Sequence, residues 1–254
     1  MPEVYICEII NNEKLNDFTF AVTVVCGELA STARAGQFVG INCGEGLLLR
    51  RPISICDICG DMLKFVYEIK GEGTRKLSEY VTGQKLDILG PLGNGFCLPE
   101  GDILAVGGGI GVPPLLFAAQ SAKSGVTAVL GFRDSGRVIM KNEFETVCNE
   151  VYITTDDGSF GIHGAVTKPL EGLLKRGGYG VVLSCGPRAM LNGVAKLCEQ
   201  YGVQCQISLE ERMGCGIGAC LVCACATARG GEVQMSRVCK DGPVFDAREV
   251  VWNS

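Results

Sequence analysis

Apolar runs and turn-forming residues alternate along the first part of the chain, from Tyr5 to about Leu98. β-Branched and other apolar side chains fill short runs, and Gly, Asn and Asp separate them. Short strands at such spacing are typical of an antiparallel sandwich or barrel, and the pattern leaves both open. The predicted strands are Val4–Ile10, Phe18–Val25, Gln37–Ile41, Ile53–Ile58, Leu63–Ile69 and Lys85–Leu89.

A different pattern begins at Asp102, where strand-length apolar runs alternate with segments long enough for helices. This alternation predicts a parallel sheet covered by helices. The predicted strands are Ile103–Val106, Thr127–Phe132, Val151–Thr155, Val181–Ser184 and Gln204–Ser208. The predicted helices are Pro114–Ser121, Lys141–Cys148, Val166–Lys175 and Arg188–Tyr201.

The chain from Glu210 onward follows neither pattern, because a loop rich in Gly and Cys is followed by a short polar, hairpin-like stretch. The fold class is therefore β plus α/β with a small third unit. We expect an antiparallel β domain at 1–99, a parallel α/β domain at 100–209 and a small C-terminal domain at 210–254. The turn at Pro99–Gly101 separates the first two.

Composition and charge narrow the class of protein. The 254 residues are 47% hydrophobic and 20% charged, which is typical of a globular protein. The net charge of −5 offers no basic field for a phosphate backbone, so no nucleic-acid partner is expected. The uncharged run Ile103–Ala119 is broken by Gly and Pro and falls short of the ~20 apolar residues that span a bilayer, so no membrane segment is expected.

Cysteine usage indicates a reducing compartment. The chain has 15 cysteines, an odd number, and they are scattered even through predicted strands, unlike a secreted disulfide framework. The start, MPEVYICEII, has neither a basic region nor a small-residue cleavage site. We therefore expect a cytoplasmic protein.

Four cysteines have the spacing of an iron–sulfur site. Cys215, Cys220 and Cys223 follow one another with four and two intervening residues, and Cys239 follows after fifteen more. This is the ligand spacing of plant-type [2Fe–2S] ferredoxins. A structural zinc site is the alternative, but zinc sites usually show two short-spaced pairs, and only one is present. Cys225 lies in the same loop but is not needed to complete four ligands.

Two glycine-rich turns follow predicted strands of the α/β domain. The first contains Gly107, Gly108, Gly109 and Gly111 and lies between a strand and a helix, where N–H groups favour a pyrophosphate. The strict GxGxxG fingerprint fails, because Val112 occupies the third glycine position. A turn that only packs is the alternative. The second turn is Cys185, Gly186 and Pro187, expected at the same sheet edge.

These segments together resemble a known superfamily. The segments are RPIS at 51–54, Gly73–Thr74, GGGIGVPPLL and CGPRAML. They resemble the ferredoxin–NADP reductase superfamily, in which an antiparallel barrel binds flavin and an α/β domain binds NAD(P). The C-terminal position of the cysteine cluster and the run SLEERMGCGIGACLVCACAT are similar, within it, to the electron-transfer subunits of class 1B dihydroorotate dehydrogenases.

The resemblance implies cofactors and residue roles. Residues 1–99 would form an FAD-binding barrel, 100–209 an NAD-binding domain, and 210–254 a [2Fe–2S] domain. Arg51 would hold the FAD pyrophosphate, and Ser54 would lie at the reactive edge of the isoalloxazine. Cys185 would lie near the nicotinamide, although it would otherwise be read as one more buried thiol. The remaining implied cofactor-binding residues are Pro52, Ile53, Glu68, Ile69, Lys70, Gly73, Thr74, Gly107, Gly108, Gly109, Gly111, Gly186 and Pro187.

No catalytic residues of the hydrolase type can be assembled. His163 is the only histidine and lies in a predicted loop, and Asp156 and Asp157 are expected in a solvated turn. The chemistry is therefore expected to come from the cofactors. Arg133 and Arg137 follow the predicted strand Thr127–Phe132, so the sequence leaves open whether the dinucleotide is NAD or NADP.

The resemblance also implies a partner and a pathway. An FMN-containing catalytic subunit would oxidise dihydroorotate in pyrimidine biosynthesis, and a heterotetramer of two plus two chains would pass the electrons through this chain to NAD⁺. Two alternatives remain. One is a ferredoxin- or sulfur-linked NAD(P)H oxidoreductase subunit with another partner, and the other is an iron–sulfur carrier that binds no dinucleotide.

Overall fold

The computed structural model describes residues 2–252. Residue 1 and residues 253–254, at the ends of the first and third predicted domains, lie outside the described residues. The first six strands are β1 (Glu3–Lys14), β2 (Thr19–Val25), β3 (Phe38–Asn42), β4 (Arg51–Cys59), β5 (Met62–Glu68) and β6 (Lys85–Leu92). They form a closed antiparallel barrel in the order β1-β2-β5-β4-β3-β6. The six predicted strands are confirmed, and the barrel is the correct one of the two predicted architectures.

Closure of the barrel follows from β6, which pairs with β1 on one side and with β3 on the other. Along β6 every second residue is buried, so one face fills the interior while the other faces outward. Two helices in this region were not predicted, α1 (Gly27–Thr32) and α2 (Glu72–Ser78). Helices of six and seven residues are too short to show a 3.6-residue period in the sequence.

The second region forms a parallel sheet with helices. Its strands are β7 (Asp102–Gly108), β8 (Val126–Phe132), β9 (Glu150–Thr155), β10 (Ile162–His163), β11 (Tyr179–Cys185) and β12 (Gln204–Ser208). Its helices are α3 (Pro113–Ser121), α4 (Lys141–Val147), α5 (Thr167–Arg176) and α6 (Arg188–Tyr201). The order β10-β9-β8-β7-β11-β12 puts the buried strand β7 near the middle. The predicted strands and helices of this region are confirmed, and β10 and two single turns of 3-10 helix, Gly109–Gly111 and Ser135–Arg137, were not predicted.

The last part of the chain contains the cysteine loop and three short strands. β13 (Ala224–Arg229) and β14 (Glu232–Arg237) form the expected antiparallel hairpin. β15 (Val244–Asp246) was not predicted, and it pairs antiparallel with β12 as the seventh strand of the large sheet. A strand of three residues carries too little pattern to be recognised, and its partner lies far away in sequence.

One hydrophobic cluster connects all three regions. It contains Phe38 and Leu92 of the barrel, Leu104 of the sheet, and Cys223 and Cys239 of the C-terminal part. The cysteine loop is therefore packed against the rest of the chain. Within residues 2–252 no helix has the length and apolar character needed to cross a bilayer.

Candidate functional site

The four predicted cluster cysteines form two pairs. The Cys215 thiol accepts hydrogen bonds from the backbone N–H groups of Ala219 at 3.3 Å and Cys220 at 3.4 Å. In return, the N–H of Cys215 donates to the Cys220 sulfur at 3.4 Å. The second pair is Cys223 and Cys239, in which the N–H of Cys239 donates to the Cys223 sulfur at 3.4 Å.

The loop around Cys215 favours a thiolate. Burial acts to raise the pKa of the Cys215 thiol, but N–H groups of Ile217, Cys220 and Ala219 point at the sulfur and lower the pKa to about 6. Gly216 at φ 73° and Gly218 at φ 85° let the backbone curl in this way. Thiolates are the form that binds metal, so the loop is preorganised for a ligand role.

The donor set fits a two-iron cluster. Within the described residues, no group of three or more His, Cys, Asp or Glu side chains converges on a point suited to one metal ion. Two pairs of thiols match a [2Fe–2S] cluster, in which four cysteines serve two irons. Cys225 lies outside both pairs, because it is buried on β13 and faces Ser236 in the hairpin register.

Arg51 and the first turn of α2 form the second part of the site. The Arg51 guanidinium lies directly over Gly73, where a Cβ would come within 2.6 Å of Cζ. The Thr74 hydroxyl accepts the N–H groups of Lys70 at 2.9 Å and Gly71 at 3.3 Å, which shapes the loop before the helix. A guanidinium beside glycine N–H groups is a suitable cradle for a pyrophosphate, and a Cβ at residue 73 would push the guanidinium out of this position.

The other residues predicted for the flavin lie nearby on the same strands. Pro52, Ile53 and Ser54 follow Arg51 along β4, and Glu68 ends β5. Ser54 is half-buried and lies opposite Phe38 of β3 in the strand register. Lys70 is exposed, and its Nζ lies 3.4 Å from the Glu210 carboxylate at the start of the C-terminal part.

The two glycine turns meet at one edge of the large sheet. Cys185 of β11 lies in register with Gly107 of β7, at the carboxyl ends of both strands. A Cβ on Gly111 would come within 2.6 Å of the Gly186 Cα, and one on Gly108 would be 2.5 Å from the Met190 sulfur. The backbone contact requires glycine at residue 111, whereas the Met190 side chain beside Gly108 can move, so packing between the turns explains part of the pattern. Both turns face the edge where open sheets bind ligands.

Cys185 is a neutral thiol rather than a nucleophile. Burial raises its pKa to about 12, and the hydrogen bond with Ser208 only partly opposes that rise. Asp157 accepts the N–H and the hydroxyl of Ser159 at 2.9 and 2.7 Å, as a capping residue of a turn does. Neither residue has the partners of a general acid or base.

Arg137, one of the two arginines that left NADP open as the dinucleotide, already contacts other side chains of this chain. The Arg137 guanidinium carbon lies 3.9 Å from the centre of the Phe18 ring, and its Nε lies 3.6 Å from the Asp134 carboxylate. Arg133 is exposed at the end of β8. The carboxyl ends of β8 and β9 therefore present one exposed arginine, Arg133, and two exposed carboxylates, Asp156 and Asp157.

The sequence analysis missed the residues that join the barrel to the cysteine loop. A narrow crevice between the two is lined by Phe38, Arg50 and Leu92 on the barrel side and by Met213 and Cys215 on the loop side. Arg50 is fixed by a bidentate pair with Asp87 at 2.8 and 3.0 Å. No local pattern identifies these residues, because the contacts join positions more than a hundred residues apart.

Comparison with known proteins agrees with this geometry. Residues 210–251 match the family model described as the iron-sulfur cluster binding domain of dihydroorotate dehydrogenase B. The chain is 42% identical over 258 residues to the dihydroorotate dehydrogenase B (NAD(+)) electron transfer subunit of Geobacillus thermodenitrificans, covering 96% of both chains. It is also 42% identical over 219 residues to the corresponding subunit of Caldanaerobacter subterraneus, covering 85% of this chain and 87% of that one.

A solved structure supports the fold over nearly the whole length. It is described as an NADH-dependent reduced ferredoxin-NADP oxidoreductase that performs flavin-based electron bifurcation. The TM-score is 0.87 at 30% identity, and the match covers 98% of this chain and 91% of the other. The predicted fold class is confirmed, as is an iron–sulfur binding domain behind a reductase fold of the FAD- and NAD-binding type.

Proposed function

Because the chain belongs to the family of dihydroorotate dehydrogenase B electron transfer subunits, we propose that it carries electrons from a dihydroorotate-oxidising subunit to NAD⁺. One observation carries this proposal. Two pairs of cysteines, Cys215 with Cys220 and Cys223 with Cys239, pack against a barrel of the kind that binds flavin. When bound, a [2Fe–2S] cluster exchanges single electrons and FAD exchanges hydride with NAD⁺, so the two together convert between the two kinds of transfer.

The residues of this chain bind and orient the two cofactors and the dinucleotide. Arg51 and the Gly73–Thr74 turn hold the FAD pyrophosphate, and Ser54 lies at the flavin's reactive edge. The neutral thiol of Cys185 leaves room for the nicotinamide and adds no charge beside it. The full proposed set is Arg51, Pro52, Ile53, Ser54, Glu68, Ile69, Lys70, Gly73 and Thr74 for FAD, and Gly107, Gly108, Gly109, Gly111, Cys185, Gly186 and Pro187 for NAD.

The partner follows from the family. An electron transfer subunit works with a catalytic subunit, and we propose that this one contains FMN and forms a heterotetramer of two plus two chains in the cytoplasm. We keep the division into an FAD domain at 1–99, an NAD domain at 100–209 and a [2Fe–2S] domain at 210–254 as part of the proposal.

The ferredoxin-linked alternative has one observation in its favour, the 0.87 TM-score to an NADH-dependent ferredoxin-NADP oxidoreductase. The two functions use the same cofactor types and differ in the partner. Purification of the native complex separates them: an FMN-containing partner that oxidises dihydroorotate supports the first, and a partner that reduces ferredoxin supports the second.

The proposed function predicts that NADH reduces the purified, cofactor-loaded chain. We expect NADH to bleach the flavin absorbance faster than NADPH, since the relatives are described as NAD(+) electron transfer subunits and the exposed Asp156 and Asp157 follow β9. Stopped-flow absorbance measures both rates. Arg137→Ala should leave the preference unchanged because Arg137 is engaged by Phe18 and Asp134. Failure of NADH to reduce the flavin would overturn the function, and faster reduction by NADPH would overturn the choice of dinucleotide.

Arg51→Ala should lower FAD retention by about one to two decades in affinity, because a charged hydrogen bond to phosphate contributes about 1.5–3 kcal/mol. The chain should stay folded, since the Arg51 side chain lies at the ligand surface over Gly73. Flavin per chain would be measured after gel filtration, with circular dichroism to follow folding. Arg34→Ala, at an exposed arginine between α1 and β3, is the matched control. Equal flavin retention in both variants would remove Arg51 from the site.

A further inference from the structure

The turn after β6 touches the C-terminal part of the chain on both sides of the cysteine cluster. We call Leu92–Asn94 the bridging turn. A Cβ on Gly216 would be 3.3 Å from the Leu92 side chain. The Asn94 N–H donates to the Gly242 carbonyl at 2.6 Å, and the Asn94 side-chain amide donates to the Lys240 and Asp241 carbonyls at 3.1 and 3.2 Å.

Gly93, in the middle of the turn, is closely surrounded. Its φ is +73°, and a Cβ there would come within 2.5 Å of the Pro243 ring and 2.8 Å of the Gly242 carbonyl. On its other side the Phe38 ring would be 3.0 Å away. The turn is therefore wedged between the barrel and the segment 240–243, with no room for a side chain.

The contacts of the bridging turn fall next to one cysteine of each pair. Gly216 follows Cys215 in the chain, and Lys240 follows Cys239. A shift of the turn therefore moves both halves of the cluster-binding loop together. A further polar contact between the barrel and this region, the ion pair of Lys70 with Glu210, is 58% and 74% exposed and contributes little rigidity.

The same turn is connected to the proposed flavin site by strand register. Ser54 of β4 lies opposite Phe38 of β3, and Phe38 lies opposite Leu92 of β6. Phe38 and Leu92 are both buried, at 4% and 3% exposure. A short, tightly packed path across three adjacent strands thus runs from Ser54 to Gly216.

We propose that the bridging turn is a positioning element, which holds the cluster-binding loop at a fixed place against the flavin-binding strand and so sets the rate of electron transfer between the two cofactors. This inference rests on the proposed function. The turn touches no reacting atom, and its role is to keep the loop and the strand β4 in one rigid arrangement.

The test compares Gly93→Ala with Gly83→Ala in the cofactor-loaded chain. Both glycines lie in the barrel region with positive φ, +73° and +86°, but a Cβ at Gly83 meets open space. The backbone strain is therefore matched, and only Gly93→Ala pushes on the segment 240–243. We expect Gly93→Ala to slow NADH-driven reduction of the cluster by about tenfold, because even a misplacement of less than about 1 Å between reacting groups lowers the rate. Flavin reduction by NADH should be unchanged.

Two further readouts keep the result decisive. Hydrogen–deuterium exchange of the segment 240–245 should become faster in Gly93→Ala and not in Gly83→Ala. Asn94→Ala, which keeps the backbone bond and removes two side-chain bonds, should give a smaller change in the same direction. Unchanged cluster reduction in a Gly93→Ala chain with full iron and flavin content would overturn the positioning role. Absence of cluster reduction in the unmodified chain would instead overturn the proposed function.

Discussion

Serine in place of any one of the four paired cysteines is expected to remove most or all of the iron and acid-labile sulfide. The pairs are Cys215 with Cys220 and Cys223 with Cys239. In a [2Fe–2S] cluster the four cysteines would serve two irons, so loss of one thiolate would leave one iron under-ligated. The four single variants would be assayed for iron, sulfide and visible absorbance after anaerobic purification.

Cys225→Ser is the matched control, because Cys225 lies in the same stretch and faces Ser236 in the hairpin instead of another cluster thiol. It should keep full iron and sulfide. A full cluster in the Cys239 variant together with a lost cluster in the Cys225 variant would contradict the assignment.

The second large effect is a division of labour between subunits. The chain alone should oxidise NADH with an artificial acceptor and show no turnover of dihydroorotate until its catalytic partner is added. Oxidation of a C–C bond next to a carbonyl needs a positioned base beside a flavin. The one proposed flavin site faces the nicotinamide, and the neutral Cys185 and the turn residue Asp157 do not supply that base.

The surface of the cysteine loop gives this prediction a structural target. Leu221 and Val222 are 61% and 58% exposed beside the cluster cysteines, as suits an apolar contact with a partner. Changing both to Ser should weaken dihydroorotate-dependent NAD⁺ reduction in the complex and leave NADH oxidation by the single chain intact. Turnover of dihydroorotate by the isolated chain at the rate of the complex would show a self-contained dehydrogenase.

The predictable parts of the fold were those with enough local pattern. The strands β1 to β6 and the helix α6 (Arg188–Tyr201) have runs long enough to show their period. The helices α1 and α2 and the strand β15 are too short for that. Period-two alternation also could not distinguish a sandwich from a barrel, since closure depends on whether β6 pairs with both β1 and β3.

The candidate site divides in the same way. Cys215, Cys220 and Cys223 were recognisable because ligand spacing is a local property of the sequence. Arg51 was identified only by family resemblance, since its position over Gly73 depends on tertiary packing. Asn94 carries no signal at all, because its partners lie about 146 residues further along the chain.

The strand β15, which belongs to the cluster-binding part of the chain, protects one edge of the large sheet. It covers the open side of β12, whose N–H and C=O groups would otherwise form an exposed sheet edge. It pairs antiparallel with β12 at Ile207 and Phe245, six residues after Cys239. A chain in which β15 is displaced would expose Gln204–Ser208 as a template for pairing with another copy, so this short strand protects the sheet from edge-to-edge association.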